Sequence, residues 1–352
     1  MKIKDFEQKA RDALLACFQD VPFVSAPENV TSLFESNQVD AVFRIINQRA
    51  ERPIHLVVET KTNGQPRYTR EAVNQLLVAL DEFDENAYGV FIAPYISPTS
   101  ADICKENNIG YVDLAGNCYL SFSTVFIRKE GNPNPYTEKN PLQSLFNPKS
   151  ERILRVLLTA GPKEWKVAEL AEEANVSLGL VSNVKTYLND QEWLDAQTIG
   201  FRLTKPFELL EAWTENYSYQ RNQVREYYSL QEVGEVEAQL LRVCQDLDLR
   251  CGLSGFSGGS RYATAVRYHR AMAYVEGEID SVVSSLKLKR VDSGANVVLL
   301  TPYDEGVFYA SQERDGDLVV SPIQTYLDLM SIPGRGEEAA QALFNQVIGK
   351  LW

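Results

Sequence analysis

The sequence predicts a multidomain protein that combines α/β and α+β folds. The chain has 352 residues, which is more than one ordinary hydrophobic core contains. Its first third alternates amphipathic helices with short apolar strands, and residues 150–205 show helical spacing followed by a hairpin pattern. A stretch rich in Pro and Asn separates these two regions and is typical of a linker. We therefore expect a domain at 1–130, a linker at 131–149, a small domain at 150–205 and, at 206–352, a helical connector that reaches about residue 228, followed by a C-terminal domain.

The composition is typical of a soluble globular protein, with 44% hydrophobic and 24% charged residues. No apolar run approaches the ~20 residues that span a bilayer, and the N-terminus has the pattern of an amphipathic helix, not of a signal peptide. Five scattered cysteines without a CxxC pair, together with only two histidines, argue against a structural zinc site and against a disulfide framework. We expect a cytoplasmic protein with no membrane contact.

The net charge of −13 argues against a strongly basic nucleic-acid-binding surface. Even residues 150–205 carry 7 Lys and Arg against 8 Asp and Glu. This acidity favours a protein-interaction scaffold as one interpretation. In the N-terminal domain the acids can instead serve as ligands for Mg²⁺.

The N-terminal domain is expected to contain a mixed sheet flanked by helices. Turn residues such as the Asn-Gly of TNGQP separate the segments. The helix that follows this turn should bury Ala72, Leu76, Leu77 and Leu80. The predicted helices are 2–17, 69–83 and 100–107, and the predicted strands are 41–46, 55–59, 88–93 and 110–113.

One apolar strand, in the segment LVVETK, ends in a carboxylate and a lysine. Alternation along the strand places Glu59 and Lys61 on one face and Thr60 on the other. A neighbouring strand that begins at Asp40 can bring a second carboxylate beside them. Two carboxylates can bind Mg²⁺, and a lysine beside them can position or activate an attacking water. The plainer interpretation is an unrelated Asp and a surface Glu and Lys, because such triplets are common.

The segment 40–122 resembles the PD-(D/E)xK superfamily of restriction-endonuclease-like domains, in which an aspartate precedes an ExK strand and a helix bearing a glutamine follows. The resemblance implies a Mg²⁺-dependent site whose two carboxylates hold the metal. Glu7, on the first helix, matches an acidic residue that some members of the superfamily place there. The implied catalytic residues are Asp40, Glu59, Lys61 and Gln75.

Residues 150–205 have the pattern of a winged helix-turn-helix. Helices are expected at 151–159, 167–174 and 178–188, with a tight break at 175–177 and a hairpin ending in FRLTKP. Hydroxyl, amide and basic side chains can bond phosphates and base edges. The alternative is a winged helix used for protein contact, which the near-zero local charge favours. Seven residues are expected to contact double-stranded DNA: Ser177, Ser182, Asn183, Lys185, Thr186, Arg202 and Lys205.

The segment 251–270 is expected to form a strand, a glycine-rich turn and a helix. Its Gly-Gly-Ser resembles the motif that precedes a pair of strand carboxylates in nucleotidyltransferases. The resemblance implies a degenerate nucleotidyltransferase-like domain, because Glu276 and Glu278 occupy the positions of the usual aspartates. The plainer interpretation is a turn before a buried helix.

Two further segments resemble the AbiEi family of antitoxin regulators. GYVDLAGN, with Asp113 and Asn117, is similar to a signature of domains fused to such regulators, and the tail containing SPIQTYLDL is similar to their C-terminal part. The resemblance runs from about residue 40 to the end. It implies a DNA-binding transcriptional regulator of a type IV toxin–antitoxin or phage-defence locus, acting with a cognate toxin and in some cases as a homodimer. The alternative function is a Mg²⁺-dependent DNA endonuclease guided by the winged helix.

Overall fold

A computed structural model of the chain describes residues 3–33, 39–49, 52–83, 86–135, 145–196, 200–263 and 267–352. The chain divides into two compact units. The N-terminal unit comprises Met1–Asn140 and Asn189–Glu192, and the C-terminal unit comprises Pro141–Leu188 and Trp193–Trp352. In the described part of the chain, no helix has both the length and the apolar character needed to cross a membrane.

The N-terminal unit is built on a seven-stranded sheet whose spatial order follows the order of the chain. The central pairs β3–β4 and β4–β5 are parallel, and the outer pairs are antiparallel. The elements are α1 (Ile3–Phe18), β1 (Glu28–Asn29), β2 (Ala41–Ile45), β3 (Ile54–Thr60), α2 (Pro66–Leu80), β4 (Ala87–Ala93), α3 (Pro98–Glu106), β5 (Gly110–Asp113), β6 (Cys118–Phe122) and β7 (Val125–Lys129).

Helices cover both faces of this sheet, so its central strands are apolar on both sides. One core lies between α1 and the sheet, and a second lies between the sheet and the pair α2 and α3. Helix α2 buries Ala72 and Leu76 as predicted, together with Val73 and Ala79. The prediction was wrong for Leu77, which is 38% exposed, because the buried stripe follows Thr69, Val73, Leu76 and Ala79 around the helix.

The first part of the C-terminal unit contains three helices and a small antiparallel sheet of order β8-β10-β9. Its helices and its hairpin lie where the sequence analysis expects them, with boundaries that differ by one to three residues. The strand β8 was not expected. The elements are α4 (Pro148–Thr159), β8 (Glu164–Trp165), α5 (Val167–Glu173), α6 (Leu178–Asp190), β9 (Leu194–Ala196) and β10 (Phe201–Leu203).

The rest of the C-terminal unit is a second seven-stranded mixed sheet with helices, in the order β14-β11-β15-β13-β12-β17-β16. Its elements are α7 (Pro206–Asn216), β11 (Gln223–Tyr228), α8 (Val233–Asp246), β12 (Cys251–Leu253), α9 (Gly255–Tyr262), β13 (Ala271–Val275), α10 (Ile279–Ser285), β14 (Lys289–Arg290), β15 (Val297–Thr301), β16 (Gln312–Arg314), β17 (Asp317–Val319), α11 (Pro322–Met330) and α12 (Arg335–Gln346).

Two expectations for this region were wrong. Residues 223–228 were assigned to a helical connector, but QVREYY is rich in β-branched and aromatic residues and forms a strand that pairs with β14 and β15. The glycines at 258 and 259 were assigned to a turn, but they lie inside helix α9. The reason is packing, because a Cβ on Gly258 would lie 3.0 Å from the Leu253 carbonyl oxygen and 3.2 Å from Thr325 Oγ1.

The sequence analysis separates residues 150–205 from 206–352, whereas the structure groups both in one compact unit except for Asn189–Glu192, which belong to the N-terminal unit. A single hydrophobic core joins them, with members on α4 to α6, on the β9–β10 hairpin and on α7, α11 and α12. Helix α4 is also fixed to the segment after β15, because Arg152 forms a two-pronged ion pair with Asp304 at 2.8 Å per contact.

Candidate functional site

The first candidate site lies at the end of β3 in the N-terminal unit. Ala41 pairs with Val58 in the antiparallel β2–β3 ladder, so Asp40 lies opposite Glu59. The Asp40 amide donates to the Val58 carbonyl at 3.2 Å. Residues directly opposite each other in an antiparallel pair share one face. The register therefore places Asp40 next to the end of β3 that carries Glu59.

A lysine lies against this carboxylate pair. Lys61 Nζ is 3.1 Å from Glu59 Oε1 and 3.3 Å from Glu71 Oε1 on helix α2. Burial raises the pKa of Glu59, the charge of Asp40 raises it further, and Lys61 opposes both effects. Burial works against the charge of Lys61, but the two glutamates outweigh it and raise the pKa of the ammonium. Sequence reasoning missed Glu71, although it lies one turn before Gln75 on the same helical face.

The other two predicted residues of this site lie on helices of the N-terminal unit. Gln75 is exposed on α2, and Glu7 is exposed on α1. Among the described residues, neither forms a recorded hydrogen bond or ion pair with Asp40, Glu59 or Lys61.

The donor set fits a hard divalent cation in its chemistry, since Mg²⁺ takes carboxylate oxygens. One oxygen of Asp40, Oδ2, already accepts bonds from the Thr60 amide at 2.8 Å and the Thr60 hydroxyl at 2.6 Å. The other oxygen and the Glu59 carboxylate are the groups that would hold the ion. In the described ranges, no group of three or more His, Cys, Asp and Glu side chains is arranged to hold a metal ion.

Asp113 and Asn117 of the GYVDLAGN segment are buried and bonded to each other. Asp113 accepts bonds from the Asn117 amide at 2.8 Å and from Asn117 Nδ2 at 2.9 Å. Asn117 also bonds the backbone of Asn132 in both directions, at 2.8 and 3.1 Å. These bonds fasten the β5–β6 turn to the chain after β7. The geometry favours a structural role for both residues.

The second candidate site is the exposed side of helix α6 in the C-terminal unit. One side of the helix enters the core through Val181, Val184 and Leu188. The Ser177 hydroxyl accepts from the Leu180 amide at 3.3 Å and so caps the helix. The other side is open to solvent, and its exposed residues include Ser182, Asn183 and Thr186.

The three predicted basic residues lie at the edge of this surface. Lys185 is half-buried, with its ammonium 5.1 Å from the ring centre of Phe201 on β10. Arg202 is exposed on β10 and lies 3.5 Å from Asp195 on β9. Lys205 is exposed and immediately precedes α7. The hairpin tip, residues 197–199, lies outside the described residues.

The third region lacks an open anion site at its glycine-rich helix. Ser254, the residue before α9, donates its hydroxyl hydrogen bond to the Asp328 carboxylate, so a side chain of the protein already supplies negative charge at this helix end. Glu276 and Glu278 lie in the turn after β13, outside the strand. Both features argue against a nucleotide phosphate at this helix.

Sequence reasoning missed a buried polar network that surrounds Asp328. This carboxylate is fully buried and also accepts from Tyr217 at 2.6 Å, Tyr274 at 2.9 Å and Gln324 at 3.1 Å. Gln324 Oε1 in turn accepts from the fully buried Arg155 of α4 at 2.6 Å. The network therefore ties α4 to α11 inside the C-terminal unit.

The comparisons with known proteins bear on this unit. Residues 202–349 match a family model described as "Transcriptional regulator, AbiEi antitoxin, Type IV TA system". The match includes SPIQTYLDL, but it covers less than half of the chain and begins after both GYVDLAGN and helix α6. Searches of curated proteins and of solved structures gave no match. The resemblance that was expected over nearly the whole chain is thus found for its C-terminal part.

Proposed function

We propose that the chain is a DNA-binding transcriptional regulator of the AbiEi antitoxin class, which represses its own locus and acts with a toxin encoded nearby. In this proposal residues 150–205 are a winged helix whose recognition helix is α6. One observation supports the proposed DNA contact. Helix α6 buries its apolar side in the core and presents Ser182, Asn183 and Thr186 to solvent. The family match to residues 202–349 supports the class of regulator.

The acidity of the chain does not extend to most of helix α6. Residues 177–189 contain no Asp or Glu, and the N-terminus of a helix carries a partial positive charge that favours phosphate. Glu173, at the end of α5, accepts from the Tyr309 hydroxyl at 2.8 Å, and Asp195 on β9 lies 3.5 Å from Arg202. The near-zero net charge of residues 150–205 is therefore unevenly distributed.

Binding to duplex DNA from the promoter of the protein's own gene tests the proposal. The double variant Ser182→Ala/Asn183→Ala should lose about tenfold or more in affinity, because base-edge contacts are removed. The matched control Ser284→Ala/Asn345→Ala changes the same residue types at exposed positions on α10 and α12 and should bind normally.

Salt dependence gives a second measure. If Lys185, Arg202 and Lys205 are the phosphate contacts, a plot of the logarithm of the binding constant against the logarithm of the salt concentration should have a shallow slope of about −3. Lys185→Ala and Arg202→Ala should each reduce that slope by about one unit and weaken binding to all sequences alike. Full binding by both double variants, Ser182→Ala/Asn183→Ala and Lys185→Ala/Arg202→Ala, would rule out this surface.

A second candidate function is Mg²⁺-dependent cleavage of DNA in the N-terminal unit. The facing positions of Asp40 and Glu59, with Lys61 Nζ 3.1 Å from Glu59, favour it. In this proposal the two carboxylates hold the metal, and Lys61 positions the attacking water. A bound Mg²⁺ would supply charge stabilisation for the phosphate that is cleaved.

Calorimetric titration with Mg²⁺ and Mn²⁺ separates metal binding from cleavage. Asp40→Asn should abolish metal binding, because it removes one of two ligand charges, whereas Lys61→Ala should bind metal and fail to cleave. The substrates are plasmid, single-stranded and branched DNA. Equal cleavage by the wild type and by Lys61→Ala would identify a contaminating nuclease, and no cleavage of any substrate would refute this second function.

A further inference from the structure

An apolar side chain stands out on the solvent side of helix α6. Leu178, in the first turn, is 57% exposed, while Ser182, Asn183 and Thr186 on the open side are polar. The core side of the helix does not use Leu178. Because more than half of the side chain is open to solvent, packing inside the unit covers only part of the leucine.

Leu178 lies at the N-terminal end of α6, where the surrounding space is open. A Cβ added to the next residue, Gly179, would have no neighbouring atom within 4 Å. Ser182 and Thr186 follow Leu178 at intervals of four residues and therefore lie along the same helical face. The face thus carries one apolar group at its N-terminal tip and hydroxyl groups behind it.

This arrangement matches the chemistry of the DNA major groove. In helix-turn-helix proteins the N-terminal residues of the recognition helix contact base edges. The thymine C5-methyl is the apolar group that the major groove presents, and apolar side chains contact it. The absence of acidic residues from 177–189 favours DNA over a basic protein surface as the occupant of this face.

We infer that Leu178 is a specificity-determining residue that packs on a thymine methyl group in the DNA site. The inference rests on the proposed function, since it requires that α6 enters the major groove. It goes beyond that function because it names one base and the residue that selects it.

Substitution of thymine by deoxyuridine tests the inference in the full chain. Deoxyuridine keeps the base pairing and removes only the methyl group. The binding site is first located by footprinting on the protein's own promoter, and each thymine in it is then replaced singly. We expect one or two positions at which the wild type loses about three- to fivefold in affinity, the range expected for loss of one buried methyl group.

The leucine variant completes the test. Leu178→Ala should lose a similar factor on thymine DNA and should be insensitive to deoxyuridine at the same position. Because Leu178 is exposed, its thermal midpoint should match that of the wild type. Leu230→Ala, at a leucine that is 88% exposed elsewhere in the same unit, is the matched control and should retain full binding and full sensitivity.

The other outcomes distinguish failure of the proposed function from failure of the inference about Leu178. Failure of the wild type to bind any promoter duplex would overturn both the proposed function and the inference. DNA binding that is indifferent to every deoxyuridine would overturn the inference alone. So would an equal loss by Leu178→Ala on both DNAs, or self-association that Leu178→Ala abolishes, because Leu178 would then serve another contact.

Discussion

At the scale of single residues, the C-terminal unit contains charges that are fully removed from water. Asp328 and Arg155 are both fully buried and are joined through Gln324. Burial raises the pKa of Asp328, while four side-chain hydrogen bonds favour its charged form. Buried charges without partners are costly, so the stability of this core depends on the completeness of the network.

We expect Asp328→Ala to lower the free energy of unfolding by about 3–5 kcal/mol, because it leaves four buried donors without their acceptor. Asp328→Asn should lose less, about 1–2 kcal/mol, because it keeps one oxygen and the Ser254 hydroxyl can turn to accept from the new amide. Urea unfolding followed by tryptophan fluorescence measures both values. The exposed Asp246→Ala is the control and should stay within about 0.5 kcal/mol of the wild type. Equal, small losses for all three variants would contradict this account of the network.

Glu130 offers a prediction that depends on pH. Hydrogen bonds from Lys105, then from Arg128 and Tyr111, lower the pKa of its carboxyl to about 2. A depressed pKa in the folded state means that the charged carboxylate stabilises the fold above the ordinary pKa of a glutamate, and that this contribution is lost as the pH falls toward 2. Because the side chain is partly exposed, the contribution should be modest, roughly 0.5–1 kcal/mol at neutral pH.

An NMR titration of the Glu130 carboxyl carbon measures this pKa directly. In Lys105→Met the pKa should rise, since the largest of the causes is removed. Lys287→Met, at an exposed lysine of the C-terminal unit, should leave it unchanged. A Glu130 pKa in the ordinary range of glutamate in the wild type would contradict the prediction.

Some of these residue roles could be predicted from the sequence and others could not. The position of Asp40 opposite Glu59 could be predicted, because the alternation of side chains along the two strands indicates their register. The full sets of partners of Asp113 and Asp328 could not be predicted, because the Ile96 amide in one case and Tyr217 and Tyr274 in the other come from distant segments. A sequence window contains no information on which distant donors meet a buried carboxylate.

At the scale of elements, glycine determines how closely α9 approaches its neighbours. Gly258 faces the Leu253 carbonyl oxygen, where a Cβ would lie 3.0 Å away, while Gly259 faces only the flexible end of Leu329 at 3.2 Å. Gly258→Ala should therefore destabilise by about 1–3 kcal/mol. Gly259→Ala should cost less, because Leu329 can shift and alanine favours the helix.

Thermal unfolding of these two variants, with Gly179→Ala as the control, checks the prediction. Gly179 has open space around its Cβ position on α6, so its replacement should stabilise by about 0.5 kcal/mol. A larger loss for Gly259→Ala than for Gly258→Ala would show that backbone crowding is not the deciding factor.

The elements that were predicted well are those with strong local periodicity. Helix α6 has a clear apolar stripe and a recognisable N-cap, Ser177, so its start point could be read from the sequence. Strand β11 was missed because its neighbours β14 and β15 lie more than 60 residues away in the chain, and its pairing is a tertiary property.

At the scale of the whole molecule, the number of compact units differs from the number of expected domains. The break at residues 205–206 looks like a boundary in the sequence because a Lys-Pro pair ends the hairpin and starts a new helix. The core nevertheless crosses this position. Trp213 on α7 lies against Arg155 of α4 at 5.0 Å, and the Trp352 indole donates to the Leu158 carbonyl at 2.9 Å. A pair of residues that ends one element and starts another does not reveal whether the two segments on either side share a hydrophobic core.

The shared core predicts that residues 145–205 do not fold as an independent domain. Without α7, α11 and α12, the fragment 145–205 would expose the face of α4 that carries Arg155 and would lose Gln324, the acceptor of its guanidinium. The fragment 145–352 keeps α4 covered by its neighbouring helices and keeps Gln324 as the acceptor of Arg155. We therefore expect 145–352 to unfold in one cooperative transition and 145–205 to show weak helical circular dichroism without a sharp transition.

DNA binding should follow the same division between the two fragments. If α6 contacts DNA, 145–352 should keep most of the affinity of the full chain, because the helix and its supporting core are intact, while 145–205 should lose it through unfolding and not through loss of a contact. Hydrogen exchange on α4 and α6 in both fragments distinguishes these causes. Cooperative unfolding of 145–205 with protected amides on α4 would mean that the small domain is autonomous, and the buried link from Arg155 to Gln324 would then be a contact between two self-sufficient parts.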